Sequence, residues 1–325
     1  MDAVLATPDE VRCGLVLAAQ EGDAARRLAQ RAEALGFDSL WAGDHVSFHV
    51  PIAESLTLLS FAAGATSRIA LGTAVYLVPL RHPTLVAKIT STLDRLAGGR
   101  LVLGVGVGGE FPPEFEAVGV PLAERGSRAD ESIPLLRRLW TEDRVAHAGR
   151  HFRFGPVTLA PKPIGTGGLS PIGTGGSGAP PIWVGGRAPA AMRRAGRLGD
   201  GYISHMASAE HYRSNLARIA EAAREAKRGT VAFTPAAFLF TFLEDRFEEA
   251  HAKAAKLLSM VYARDFTEAA KKYCLLGRPS DCLEQMRAFA RAGCRHFILA
   301  PLSDAEAFAE RAGAEILPEL RTLAH

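Results

Sequence analysis

Short apolar runs and amphipathic stretches alternate along almost the whole chain, and this rhythm limits the fold more than any other feature. Strands are read at Cys13–Ala18, Phe37–Ala42, Ile69–Val75 and Leu101–Val105, then at Ile182–Val184, Gly201–Ser204, Val231–Leu243 and Arg295–Leu299. Helical periodicity fills the intervals, as in Asp23–Leu35, where Ala24, Leu28, Ala32 and Leu35 share one face and Gly36 follows as a C-cap. Further helices are read at Ser55–Ala65, Leu85–Leu96, Arg125–Trp140, Pro189–Leu198, Ala209–Lys227, Phe247–Tyr262, Pro279–Ala292 and Ala305–Leu323. Strand and helix in alternation mean a parallel sheet with helices outside it. Eight strands are the number that closes a barrel, although an open doubly wound sheet has the same alternation.

The length of 325 residues allows two domains or one large one. A barrel of this kind takes about 250 residues, so the expectation is one domain, 1–325, with an insertion at 144–181. Residues 144–160 read as a β-hairpin. Pro161 to Pro181 then holds PIGTGGLS followed by PIGTGGSG, too rich in Gly and Pro to bury a core and expected to be a mobile surface loop.

Composition narrows the function classes. Hydrophobic residues are 48% and charged residues 22%, and 38 Lys+Arg against 35 Asp+Glu leave only +3 with no basic stripe. Nucleic acid is therefore not an expected partner. The longest weakly polar run, Ile69 to Leu80, is far short of the roughly 20 residues a membrane helix needs, and the N-terminus has acidic residues where a signal peptide has basic ones. The expectation is a cytoplasmic protein. Cys13, Cys274, Cys282 and Cys294 lack CxxC spacing and are expected as buried thiols.

Polar residues collect at the C-terminal ends of the strands, where a barrel carries its chemistry. They are Asp44-His45, Arg81-His82, Glu110, Gly185-Gly186-Arg187 and Ser204-His205. For His82 the plain reading is a helix start before Pro83, and for His205 a partner for a buried carbonyl. GVGVGG at 104–109 fits GxGxxG, yet Pro112-Pro113 argues against an immediate helix, so a dinucleotide-binding turn is not expected. Gly185-Gly186-Arg187 is the better anion site, because Pro189 opens a helix beside a guanidinium. No GxSxG or HExxH is present. His45 and His49 with Asp44 would need a helix to share a metal, and the segment reads as loop, so no metal is expected.

The segments GFDSLWAGDHV (36–46), 70–108, EFEAVGVPLAERG (114–126) and PPIWVGGRAPAAMRRAGRLGDGYI (180–203) resemble the bacterial luciferase-like superfamily of flavin- and coenzyme-F420-dependent oxidoreductases, most of all its F420-dependent single-chain group. The resemblance implies a (β/α)8 TIM barrel with an insertion after the fourth strand and a cofactor ring, F420 or FMN, across the mouth. It implies a cis Ala74–Val75 bond against the ring, His45 as the acid/base, Gly106 and Gly108 near the ring, and Gly185, Gly186 and Arg187 at the cofactor phosphate, with Ser204 and His205 beside it. Asp44 belongs to the same cofactor-binding set, and Glu110 falls one residue past the position at which some F420-dependent members have a catalytic Glu. Hydride transfer to or from a small organic substrate is the function implied. An FMN-dependent two-component monooxygenase with a separate flavin or F420 reductase is one alternative, and a non-catalytic flavin-binding protein is another. A homodimer is also implied. Phe48, Tyr76, Phe111 and the 161–181 loop would line the mouth and favour an apolar or aromatic ligand.

Overall fold

The computed structural model describes residues 4–19, 21–165 and 178–324. Eight parallel strands form a closed ring: β1 (Arg12–Val16), β2 (Ser39–Ala42), β3 (Ala70–Thr73), β4 (Leu101–Gly106), β5 (Ile182–Gly185), β6 (Gly201–His205), β7 (Thr234–Leu243) and β8 (His296–Pro301). Each pairs with its sequence neighbours, β8 pairs with β1, and the β6–β7 register from Gly201↔Thr234 to His205↔Phe238 completes the circuit. Closure leaves no edge strand in the ring, which selects the barrel over an open sheet. The helices outside are α1 (Gly22–Leu35), α2 (Ser55–Ala65), α3 (Pro83–Leu96), α4 (Arg125–Thr141), α5 (Pro189–Leu198), α6 (Ala209–Glu225), α7 (Pro279–Arg291) and α8 (Ala305–Glu315).

Local sequence explains the boundaries. Ala25, Leu28, Ala29 and Ala32 bury one face of α1, and Gly36 at φ 89° returns its N–H to Ala32 and Glu33. Inside the ring, Trp41, Ala70, Val102, Trp183, Ile203, Ala236 and Ile298 fill the barrel. The Trp41 and Trp183 rings lie 5.2 Å apart. Gly14 and Gly72 are required beside them, because a Cβ at either would overlap the Trp41 indole. Below, His296 Nε2 lies 2.8 Å from Ser39 Oγ, which also accepts Trp41 Nε1–H at 2.6 Å. Packed side chains thus fill the barrel interior beneath the C-terminal mouth.

Several elements differ from the sequence expectation. The single strand read at 231–243 is two: Val231–Ala232 pairs in parallel with Leu5–Ala6, and β7 starts at Thr234. The strand read through Val75 stops at Thr73, and Tyr76–Leu77 pairs separately with Val105 and Gly106. The closing helix read to Leu323 breaks after Glu315, with Pro318 in the first turn of a new short helix at Leu317–Leu320. A helix does follow the β4 glycines, at Pro112–Ala117, because proline is tolerated in a helix's first turn, where no N–H is needed. After β7, the helices Phe247–Tyr262 and Thr267–Tyr273 and a short strand Leu275–Gly277 intervene before α7.

The insertion lies between β4 and β5, after α4. Its antiparallel hairpin pairs Val145–Ala148 with Arg153–Val157. Asp94 on α3 accepts the Ile164 and Gly165 N–H groups at 2.9 Å and ties down the segment that follows. Residues 166–177, which hold most of the duplicated PIGTGG repeat, lie outside the described residues. Among the described residues no helix is long and apolar enough to cross a membrane, and all four cysteines are unpaired and buried.

Candidate active site at the barrel mouth

The loop leaving β2 begins with two residues of opposite destiny. Asp44 turns inward and is only 3% exposed. Its carboxylate accepts Arg81 Nη2–H at 2.9 Å, a second Arg81 hydrogen bond, and the Leu77 N–H at 2.8 Å. Burial pushes its carboxyl up while Arg81 pulls it down. Asp44 therefore clamps the end of β2 to the segment after β3. Tyr76 belongs to this clamp and not to the mouth lining read from sequence: it is 2% exposed, with the Arg81 guanidinium 4.4 Å from its ring centre.

His45 turns the other way, into a cleft of about 450 Å³ that runs from His45 to Ile52. Its Nδ1 lies 3.2 Å from both Glu114 oxygens, and one of these also accepts the Val46 N–H at 3.1 Å. Glu114 is fully buried in the first turn of the Pro112–Ala117 helix. A carboxylate can only accept, so Nδ1 carries the proton and Nε2 is left for chemistry. Sequence reasoning missed Glu114. The available signal was Pro112-Pro113, a permitted helix start that puts an acid in the first turn.

Glu110, the candidate chosen from sequence, is elsewhere. It is exposed at the rim, 3.7 Å from Arg187 Nη2. Arg187 is half exposed and precedes α5, whose N-cap residue Ala188 offers no side-chain acceptor to the first amides. Gly186, at φ 138°, supplies a turn that a side chain would strain. An open helix start, a glycine turn and a guanidinium fit an anionic group such as a cofactor phosphate.

Between these two features the mouth is floored by Val75. The Ala74–Val75 bond is cis, as the resemblance implied. A Cβ on Gly185 would fall 2.5 Å from Val75 Cγ1, and one on Gly106 would overlap Val75 Cγ2. The two glycines thus admit the valine and leave a smooth surface. Gly108, at φ 61°, packs on Leu77 and Phe115 below the rim.

Ser204 is buried near the end of β6. His205 follows it against Phe238 and Phe240, at 5.6 and 5.8 Å between ring centres. Burial pushes its imidazole down to about 4, so it is neutral near pH 7. The mouth therefore holds imidazoles in unlike settings: His45 set on a carboxylate, His205 uncharged, and His49 edge-on to Phe48 and Phe111 at 5.2 and 4.7 Å. His82 is not with them: it caps α3, accepting the Thr84 N–H at 3.3 Å, and faces Phe152 of the hairpin. Phe240 and Tyr262 complete the mouth and were also missed, because only the long β7 and the helix after it carry them there. Among the described residues no group of three or more His, Cys, Asp or Glu is placed to hold a metal ion.

The family model described as luciferase-like monooxygenase matches residues 1–296. An F420-dependent glucose-6-phosphate dehydrogenase of Nakamurella multipartita is 30% identical, with 98% of each chain covered. Among solved structures, an F420-dependent secondary alcohol dehydrogenase in complex with an F420-acetone adduct superposes with a TM-score of 0.83 at 21% identity, over 96% of this chain and 99% of that one. A monooxygenase from Streptomyces bottropensis has a TM-score of 0.77 at 24% identity, over 95% and 99% of the two chains. The two structural likenesses share the barrel.

Proposed function

The chain belongs to the luciferase-like monooxygenase family, and from that premise we propose that it is an oxidoreductase using coenzyme F420 to move a hydride to or from a small organic substrate. The observation that carries the reading is the His45–Glu114 pair, set in the same mouth as the Val75 floor and the Arg187 anion site. The F420-dependent relative, which matches nearly end to end, supports F420 over FMN.

When bound, a deazaflavin supplies a two-electron hydride donor or acceptor. In this reading Val75, with Gly106 and Gly185 making room for it, supports the ring, and Arg187 with the Gly186 turn and the α5 start holds the phosphate. Ser204 lies beside that site. Asp44 anchors the β2 end so that His45 is aimed correctly. Glu114 holds the His45 Nδ1 proton, and Nε2 takes the hydroxyl proton of an alcohol or returns it to a carbonyl oxygen. Hydride and proton leave the substrate together as two electrons and two hydrogens, forming C=O. Glu110 acts at the rim through Arg187.

The same reading takes residues 1–325 as one barrel domain elaborated at 144–181, working in the cytoplasm as a homodimer, with a separate F420 reductase or other F420 enzyme returning the cofactor to its starting state. Buried, unpaired thiols suit a reducing compartment.

Titrating the apoprotein with F420 and, separately, with FMN, following fluorescence quenching, tests the cofactor. Saturable F420 binding that weakens in Arg187→Ala is expected. Micromolar FMN binding with none for F420 would move the protein to the two-component monooxygenases. Retained F420 binding in His45→Ala, with no turnover by the parent protein on any alcohol or carbonyl, would make it a flavin-type carrier.

A further inference from the structure

Segments following three different strands bring aromatic rings together over the mouth. Phe48 comes from the loop after β2, Phe111 from the loop after β4, and Tyr262 from the helix after β7. Phe48 meets both of the others edge-on at 5.9 Å and stacks on His45 at 4.0 Å. The contacts continue from Tyr262 to Phe240 at 6.3 Å and from Phe240 to Phe238 at 5.2 Å. All five are half-buried, so each ring keeps some surface open. Phe48 also lines the cleft that runs from His45 to Ile52, and joined apolar surface beside such a cleft is what a hydrophobic ligand buries.

The charges beside this wall lie at its edge. Glu110 stands against Arg187, and Arg264 lies over the Tyr262 and Phe266 rings at 5.8 and 5.0 Å. Glu114 is turned to His45. A polyhydroxylated, phosphorylated substrate placed against the Phe48 and Phe111 rings and the ring of Tyr262 would give up water for apolar ring surface. The Tyr262 hydroxyl offers too few partners for its groups, and each unmatched group costs free energy. An alcohol or ketone with an apolar body would lose almost nothing there but hydrocarbon hydration.

We infer that the substrate is an uncharged alcohol or ketone with an aromatic or alicyclic body, seated among Phe48, Phe111, Tyr262 and Phe240 with its oxygen within reach of His45, and not a sugar phosphate. This rests on the F420 reading above and names the substrate class of the same site.

The test uses the full chain saturated with F420, occupancy being confirmed first by quenching, and titrates it with 1-phenylethanol, acetophenone and glucose 6-phosphate. Cofactor fluorescence reports binding and the oxidised cofactor's absorbance reports turnover. The two aromatic compounds are expected to bind, and Phe111→Ala and Tyr262→Ala each to weaken them about tenfold, the loss of a ring from an apolar contact. Phe111→Leu and Tyr262→Leu keep apolar volume and serve where alanine variants do not fold, with a loss of about threefold. Binding or turnover of glucose 6-phosphate, no response to either aromatic compound, or affinities unmoved by the variants would each overturn the inference. If F420 itself fails to bind, the F420 reading falls, and calorimetry of the three compounds on the cofactor-free chain still decides the substrate class by the same ranking.

Discussion

His45 Nδ1 is equidistant, at 3.2 Å, from the two carboxylate oxygens of Glu114, a residue 69 positions later in the chain with no exposed surface. A histidine held in this way has one nitrogen spoken for, and turning its ring would leave the buried carboxylate with only the Val46 N–H.

Glu114→Gln keeps the shape but can offer an N–H where an acceptor is needed, so part of the population takes the wrong tautomer. On a verified substrate kcat is expected to fall about 10²-fold, within the range for loss of positioned acid–base catalysis, while KM and F420 affinity change by no more than about twofold. The pH profile of kcat should shift as well. An unchanged kcat and profile in a variant with parent-like circular dichroism would remove Glu114 from the chemistry.

Asp44 and Arg81 form a pair whose acidic partner is buried, and removing the base leaves an uncompensated carboxylate. Arg81→Met is expected to cost about 3–5 kcal/mol in urea unfolding. Asp44→Asn alone should also destabilise, through the lost Leu77 N–H and Arg81 bonds. The double variant should recover at least about 1 kcal/mol relative to the sum of the two. Additive losses would mean that the pair is not coupled.

His205 and His296 both titrate far below the ordinary value of 6.5, at about 4 and about 3, because burial disfavours the charged ring. The unfolded chain takes up these protons as pH falls through about 6.5, and the folded chain does not until about 4 and then about 3. The unfolded state therefore binds more protons in that window, and stability falls with falling pH, by up to about 1.4 kcal/mol per pH unit for each histidine. Urea midpoints measured from about pH 7 down to about pH 5 should drop, and His205→Asn should flatten the slope. A slope unaffected by that substitution would mean that His205 is charged or exposed in the fold.

Gly185→Ala would set a Cβ 2.5 Å from Val75 Cγ1. Such overpacking costs about 1–3 kcal/mol, and displacing Val75 should weaken F420 binding. Adding Val75→Ala to that variant removes the clashing methyls and should restore much of the thermal midpoint. If the single variant is as stable as the parent, the floor of the mouth is looser than this geometry requires.

The barrel was readable in the chain because its causes are local. Gly36 ends α1, buried residues recur at helical spacing, and apolar strands are spaced by helix-length intervals. His45, Arg187 and His205 were readable as strand-end residues for the same reason. Glu114 was not, since Pro112-Pro113 argues against an immediate helix there and nothing near it in sequence needs a carboxylate. Glu110 looked better placed by one-dimensional counting, yet the turn at Gly108 and Gly109, both at positive φ, leaves it at the rim. Tyr76 and His82 followed the right strand but were drawn away by Arg81 and by the α3 cap.

Periodicity, caps and strand-end residues, all interactions within a few positions, were enough to specify eight strand–helix units and the end that carries the chemistry, while closure into a barrel rests on the pairing of Gly201–His205 with Thr234–Phe238. Which acid meets His45 and which rings close over the mouth depend on contacts between residues tens to hundreds of positions apart. Those contacts exist only after the ring has closed, because closure is what brings the loops of β2, β4 and β7 over one another.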